Sequence, residues 1–353
     1  MRITTVLSSR LFLLVVIGVL LMCIGLLWPG IHEAVPCTAP EVESDLMAKR
    51  LVAPPPAPCS GTVTVQPEPD TTNWGNHTLG VVVPFRDRFE EMLIFVPYMH
   101  RFLNHQKVKH RIYIVNQIDA YRFNRASLIN VGYLRAREQC DYFAMHDVDL
   151  LPLNRNLSYG FPGQKLFHVS SPEYHPRYHY PKFIGGILII TMEHFAKVNG
   201  MSNNYWGWGL EDDEFYTRVR AAGLEIARPT NLTTTVKDTF RHIHDRRVRK
   251  RDMEKCFNQA AVTHKRDRIT GADSVDYKIL KANQLTIDGA DVEVLNVRLQ
   301  CDHTRTPWCD CSGQASDQAS AKATAAASKA GHAKTSAGRA AADAKAGESP
   351  AAA

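Results

Sequence analysis

Between Leu79 and Asp149 the chain alternates short apolar runs with amphipathic ones, and no other feature constrains the fold as much. Leu79 to Val83 (LGVVV) predicts a buried strand stopped by Pro84. Phe89 to Leu103 predicts a helix, with Pro97 kinking or splitting it because proline lacks the N–H and crowds the preceding turn. Arg111 to Val115 (RIYIV) predicts a second strand. In Ser127 to Glu138, Leu128, Ile129, Val131 and Leu134 recur at helical spacing. Tyr142 to Met145 (YFAM) predicts a third strand, running into His146-Asp147-Val148-Asp149. Such a strand–helix–strand–helix–strand series is the nucleotide-binding half of a doubly wound α/β sheet, whose ligands sit beyond the carboxyl ends of the strands. Pro84-Phe85-Arg86-Asp87-Arg88 and Asp147-Val148-Asp149 both fall at such ends.

The flanks place this unit in a compartment. Leu11 to Trp28 is an uninterrupted apolar run. A bilayer core takes about 20 apolar residues to cross, whereas the core of a cleaved signal peptide is ~7–15. The length therefore predicts a retained single transmembrane helix. Arg2 and Arg10 before it, and Glu33, Glu41 and Glu43 after it, orient residues 1–10 to the cytoplasm and the remainder to the lumen. Residues 29–78, Pro-rich and without hydrophobic periodicity, read as a lumenal stem. Residues 79–311 read as the globular domain. Residues 312–353 form an Ala/Ser/Lys/Gly tail too poor in large apolar residues to offset its ordering entropy.

A lumenal location makes Asn76-His-Thr, Asn156-Leu-Ser and Asn231-Leu-Thr glycosylation acceptors, and permits disulfides among the eight cysteines. The pair that closes a short loop, Cys301 and Cys309, is the expected bridge; a zinc site there lacks a second Cys/His pair at ligand spacing. The net charge of +6 gathers in Arg241 to Lys255 and in the tail, without a zinc-finger, RRM or helix-turn-helix pattern beside it. The charge alone leaves a nucleic-acid binder conceivable but without a signature, and an anionic small ligand or glycan explains it equally well; no nucleic-acid partner is expected.

Three constellations carry chemistry. A strand puts residues i and i+2 on one face, so Asp147 and Asp149 are expected to point together, a repulsive pair unless a cation is near. His242-Ile243-His244 repeats that spacing, and two imidazoles with one carboxylate make the protein half of an octahedral Mn²⁺ site completed by diphosphate oxygens. Asn204 to Glu214 (NYWGWGLEDDE) sets Trp206 and Trp208 before Glu211, Asp212 and Asp213. Tryptophan faces stack on sugar rings, glycines admit close approach, and carboxylates accept sugar hydroxyls or act as a base. The acids also suit a helix start, and Phe215 to Ala221 reads as helical.

Phe123-Asn124-Arg125-Ala, Asp147-Val-Asp149, Gly185-Gly186 and Trp206-Gly-Trp208-Gly-Leu-Glu-Asp-Asp, in this order, resemble the β-1,4-galactosyltransferase family across Leu79 to Cys311. His242-x-His244 and Cys301-Asp-His-Thr-Arg-Thr-Pro-Trp-Cys309 are similar to the branch that puts galactose on xylose of proteoglycan core proteins, as the first galactose of the glycosaminoglycan linker. Other branches carry Met-x-x-His at the metal.

The resemblance implies a GT-A-type fold with a Rossmann-like nucleotide-binding half, in an enzyme of the Golgi membrane. UDP-galactose is then the donor, Mn²⁺ the cofactor and a xylosylated core protein the acceptor. It assigns the donor to Pro84, Phe85, Arg86, Asp87, Arg88, Phe123, Asn124, Arg125, Val148, Asp149, Tyr178, Trp208, His242, His244 and Arg251. It assigns the metal to Asp149, His242 and His244, and the acceptor to Tyr180, Leu210, Glu211, Asp212 and Asp213. Asp212 becomes the catalytic base of an inverting transfer. Some members carry Arg where Leu210 stands. The alternatives are transfer to N-acetylglucosamine, a non-catalytic glycan-binding homologue and a two-metal phosphodiesterase using Asp147 as well.

Overall fold

The computed structural model describes residues 70–245 and 247–312. The apolar run at Leu11 to Trp28, nearly all of the stem and the tail lie outside these residues. Among the described residues no helix is long and apolar enough to cross a membrane.

The alternation read from the sequence appears as β1 (Thr78–Phe85), α1 (Phe89–His105), β2 (Lys109–Gln117), α2 (Arg125–Ala136) and β3 (Tyr142–His146). β1 is central, with β2 and β3 parallel on either side. Side chains alternate across a strand, so each strand feeds two cores. Val81 and Val83 pack with Phe95, Val96 and Met99 of α1, while Val82 packs with Leu128, Ile129 and Val131 of α2. The two helices therefore cover opposite faces of the sheet. α2 lies so close that a Cβ on Gly132 would fall 2.2 Å from Val82 Cγ1.

Two prolines behave differently from expectation. β1 continues through Pro84, because its ladder with β3 ends at Val82 paired with Met145 and leaves the missing N–H without a strand to serve. α1 continues through Pro97 as one helix of 17 residues, with Pro97 buried among Met92, Phe95 and Met99; packing of that face outweighs the lost hydrogen bond.

Beyond β3 come β4 (Leu150–Pro152), β5 (Leu166–His168), β6 (Ile187–Thr191), α3 (Met192–Lys197), α4 (Glu211–Ala221), β7 (Ile226–Ala227), α5 (Val236–Thr239), β8 (Phe240–His242), α6 (Gln259–Thr263), β9 (Tyr277–Ile287) and β10 (Ala290–Leu299), then a 3₁₀ turn at Pro307–Cys309. The main sheet has eight strands in the order β7-β5-β6-β3-β1-β2-β10-β9. It is mixed, since β6 runs antiparallel to β3 and β9 antiparallel to β10. β4 and β8 pair separately. The carboxyl ends of β1, β2 and β3 open towards that small pair and towards α4.

Candidate active site

Asp212 stands in the first turn of α4. The segment ahead of it is left-handed at three positions, Gly207 (φ 79°), Gly209 (φ 107°) and Leu210 (φ 74°). Glycine takes such angles freely, whereas a side chain there costs ~1–2 kcal/mol. Leu210 is thus held in a strained conformation where the chain enters the helix, a kind of strain that concentrates at functional sites.

Asp212 meets the glycine pair from below: a Cβ on Gly185 would lie 2.2 Å from its Oδ2. Arg125 Nη1 donates to Asp212 Oδ1 at 2.9 Å, while Arg125 Nε and Nη2 reach Asp147 Oδ1 at 2.9 and 2.8 Å. Glu211 Oε1 is 3.9 Å from the same guanidinium. Burial is the largest influence on Asp212 and pushes its carboxyl up; Arg125 opposes this, Glu211, Asp147 and Asp213 reinforce it, and the result is about 7. Asp213 is also raised by burial, against the Tyr180 hydroxyl bonded to it and the charge of Lys182.

A second cluster forms on the β4–β8 pair. Leu150 faces His242 in the ladder, and the Ile243 N–H donates to the Asp149 carbonyl at 2.8 Å. This brings Asp149 Oδ1 to 3.8 Å from His242 Nε2 and Asp149 Oδ2 to 3.3 Å from His244 Nδ1. Burial would raise the Asp149 carboxyl, but the His244 hydrogen bond, His242 and Arg88 outweigh it and hold it at about 2. Burial likewise pushes His242 down to about 4 despite Asp149, so its imidazole is neutral at physiological pH. His244 is buried, and among the described residues its Nε2 has no hydrogen-bond partner. A carboxylate, a neutral imidazole and a second imidazole whose outer Nε2 is orphaned are ligand types that fit a divalent cation also taking oxygen ligands. Arg88, 2.8 Å from His244 Nδ1 and 3.3 Å from Asp149 Oδ2, sets a counter-charge beside them.

The two aspartates of Asp147-Val148-Asp149 do not point together. β3 ends at His146, and the Leu150 N–H closes a turn on the Asp147 carbonyl at 3.3 Å. The strand alternation that would align the carboxylates is lost there, so Asp147 turns to Arg125 and Asp149 to the histidines. Val148 between them is buried.

The expected donor residues divide in the same way. Arg86 donates to the carbonyls of Tyr121, Asp119 and Gln117 at 2.6, 3.0 and 3.3 Å and lies 6.0 Å over the Phe123 ring, bracing the loop after β2. Pro84 and Phe85 are buried in β1, and Asp87 is exposed with φ 50°. Asn124 is fully buried and caps α2: Oδ1 accepts from the Ser127 N–H and Nδ2 donates to the Asn203 carbonyl. Its side chain is thus engaged within the fold.

The two tryptophans separate as well. Trp206 is buried at 3% exposure, edge-on to Tyr121, and joins the core, which removes it from any sugar-stacking pair. Trp208 is 40% exposed. Arg251 lies 4.8 Å over the Trp208 ring and 5.9 Å from Tyr178, bridging the two, and the Tyr178 hydroxyl is buried without a hydrogen-bond partner among the described residues. Phe183, not singled out from the sequence, packs against both Tyr178 and Tyr180 at 5.0 and 5.5 Å between ring centroids. Trp208, Tyr178, Tyr180 and Leu210 thus border one partly open surface beside Asp212 and Asp213.

Residues 247–258 come to Trp208 through backbone and charge. The Trp208 N–H donates to the Asp252 carbonyl at 2.9 Å, and Arg122 clasps the Asp252 carboxylate at 2.6 and 2.9 Å. Cys256–Cys311 ties the end of this segment to the C-terminal part of the domain. That bridge was not read from the sequence, although Cys256 and Cys311 were both present in the domain without a named partner. Cys301–Cys309 forms as expected. Cys301, His303 and Cys309 lie close enough to suggest a metal site, but the disulfide removes the two thiolates that would serve it. Asn76, Asn156 and Asn231 are all exposed and outside helices and strands.

Comparison with known proteins decides the family. Residues 64–161 match the N-terminal region of glycosyl transferase group 7, and residues 165–244 match the N-terminal domain of galactosyltransferase. β-1,4-galactosyltransferase 7 of Drosophila melanogaster is 57% identical over 251 residues, spanning 71% of this chain and 78% of that protein. The chain belongs to the β-1,4-galactosyltransferase family. Another member, the xylosylprotein 4-beta-galactosyltransferase of Caenorhabditis elegans, is 50% identical over 250 residues, covering 69% of this chain and 86% of its own. A crystal structure of a mutant of the Drosophila family member, complexed with manganese, UDP-Gal and xylobiose, superposes with a TM-score of 0.66. It is 57% identical, covering 67% of this chain and all of the other. The GT-A-like α/β architecture with a mixed sheet is thereby a family property.

Proposed function

We propose that this protein transfers galactose from UDP-galactose, with inversion, to the 4-hydroxyl of xylose on proteoglycan core proteins, with Mn²⁺ as cofactor. The observation that carries this reading is the link from Asp212, raised to about 7, through Arg125 and Asp147 to the nearby Asp149–His242–His244 cluster, in a chain 57% identical to a protein whose structure holds manganese, UDP-Gal and xylobiose. Asp149, His242 and His244 would hold the metal. A divalent cation at that position supplies Lewis-acid stabilisation of charge on the departing diphosphate.

The chain's own residues do the rest. Arg251, between Tyr178 and Trp208, presents positive charge to the donor side of the opening. The Trp208 face and the Tyr180–Phe183 wall supply apolar surface to a sugar ring. Asp212 takes the proton of the attacking hydroxyl, and a base of this kind contributes ~10²–10⁴-fold. We further propose a lumenal domain anchored in the Golgi membrane by Leu11 to Trp28, with Asn76, Asn156 and Asn231 as exposed glycosylation sites.

Xylose lacks the hydroxymethyl group and the 2-acetamido group of N-acetylglucosamine. Extra atoms forced against Tyr178, Tyr180, Trp208 and Leu210 cost ~1–3 kcal/mol, a ten- to hundredfold discrimination or more. The test is kcat/KM of the full chain with UDP-galactose and either a β-xyloside or an N-acetylglucosaminide. Preference for the xyloside is expected; an equal or reversed preference overturns the acceptor assignment.

A further inference from the structure

Arg125 lies at the N-terminus of α2, beyond the carboxyl end of β2, in a segment first associated with the donor. Its side chain is only 14% exposed, and its guanidinium is engaged on two sides. Nε and Nη2 close on Asp147, and Nη1 closes on Asp212 Oδ1. No lysine reproduces this: a planar fork serves two carboxylates in fixed directions, whereas an ammonium is a single mobile point. Burial works against the guanidinium's charge, yet Asp147, Asp212 and Glu211 outweigh it and keep it protonated.

We propose that Arg125 is a positioning residue for the transfer: anchored by Asp147, it holds Asp212 by Oδ1 and leaves Oδ2 to receive the acceptor proton. Asp147 is thereby assigned to the base, through Arg125, while Asp149 two residues later serves the opposite corner. In the step itself the acceptor O–H bond breaks and its proton passes to Asp212 Oδ2. The acceptor oxygen bonds the anomeric carbon, and the bond from that carbon to the β-phosphate oxygen breaks with its electron pair leaving on UDP. Arg125 keeps its proton throughout. Gly185 is the other half of the device, because any larger residue would occupy the space of Oδ2.

The proposal rests on Asp212 being the base, and a pH profile separates the two ideas. The groups facing Asp212 are Arg125 from α2, Asp147 from the turn after β3, Glu211 and Asp213 from α4, and Tyr180 from the aromatic wall. Of these, Arg125 is the one that favours the ionised carboxylate. An opposite charge at this distance lowers a carboxyl by 1–3 pH units, so Arg125→Gln is expected to move the acid limb of kcat up by about one pH unit or more. It should also cut kcat about ten- to a hundredfold, within the contribution of a base, with KM for UDP-galactose little changed. Arg125→Lys keeps the charge and loses the fork, so its limb should stay in place while kcat falls. An unmoved limb in Arg125→Gln, or a loss in either variant that lies wholly in KM for UDP-galactose, overturns the proposal. If Arg125→Gln does not fold, the Lys variant decides alone: kcat at the wild-type level also overturns it. Asp212→Asn, run in parallel, tests the base; retained turnover with the limb intact would refute that assignment instead.

Discussion

Two clusters joined through Asp147-Val148-Asp149 are built from the same kind of residue and turned to opposite use. At the β4–β8 pair, Asp149 is surrounded by His242, His244 and Arg88 and is held at about 2. At the start of α4, Asp212 shares a single guanidinium with Asp147 and Glu211 and is pushed up to about 7. Both carboxylates are poorly solvated, so burial alone does not distinguish them; the balance of neighbouring charge does. One positive neighbour among three carboxylates leaves the proton favourable, whereas a hydrogen bond from His244 and the charge of Arg88 on one carboxylate remove it. A carboxylate that never holds a proton is suited to a cation, and one poised near neutrality is suited to take a proton from a hydroxyl. Opposed environments of this kind mark the division of roles in acid–base sites.

That contrast breaks most sharply at the metal corner. His244→Ala and Asp149→Ala, each separately, should abolish Mn²⁺-dependent transfer, measured as galactose release onto a β-xyloside across a Mn²⁺ titration. Full activity of either variant in the presence of a chelator would remove the metal from this corner.

A smaller loss is expected at the base. Asp212→Asn should lower kcat at least ~10²-fold while UDP affinity, followed by calorimetry with Mn²⁺ present, stays near wild type. The sign of the pH dependence follows from the raised carboxyl. The base works ionised, so wild-type kcat should fall as pH drops below about 7, by tenfold per unit well below it. Lost UDP affinity with retained turnover would move the proton transfer to Glu211 or Asp213.

The smallest effect sharpens the comparison without removing a charge. Gly185→Ala places a methyl 2.2 Å from Asp212 Oδ2, an overpacking that costs ~1–3 kcal/mol. A fall in thermal stability together with a ten- to hundredfold loss of kcat is expected, with Mn²⁺ affinity unchanged. A loss confined to Mn²⁺ affinity would show that the two corners are one site mechanically.

Much of this was legible because local pattern and tertiary outcome agree. The apolar runs from Leu79 to Met145 became β1 to β3, with ends shifted by a few residues. Where a single residue type was read as a stop, its tertiary surroundings overruled it. Pro97 lies inside a helix whose buried face continues past it. Pro84 lies where the ladder to β3 has ended while the pairing with β2 continues. The β9–β10 hairpin was not picked out, although Asp288-Gly289, both at positive φ, is a strong turn signal between its strands. Trp206 and Trp208 illustrate the remaining difficulty: read together as tryptophans spaced by glycine, they part where left-handed glycines between and after them send one ring to the core and leave the other exposed.

The sequence by itself determined the α/β class, the two strand ends that carry Arg86 to Arg88 and Asp147 to Asp149, and the residue types able to hold a cation and move a proton. It did so because periodicity and composition are local properties, and because four ordered motifs are too specific to arise otherwise. Only the tertiary structure decided how those groups pair. Asp147 and Arg125 are 22 positions apart and Arg125 and Asp212 are 87 apart; Cys256 and Cys311 are separated by 55. Whether a carboxylate ends as a ligand or as a base depends on desolvation and on the sign of charges a few ångströms away, and those neighbours are chosen by the meeting of the N-terminal ends of α2 and α4 at Arg125 and Asp212 and by the register of β4 on β8, not by the residues adjacent in the chain.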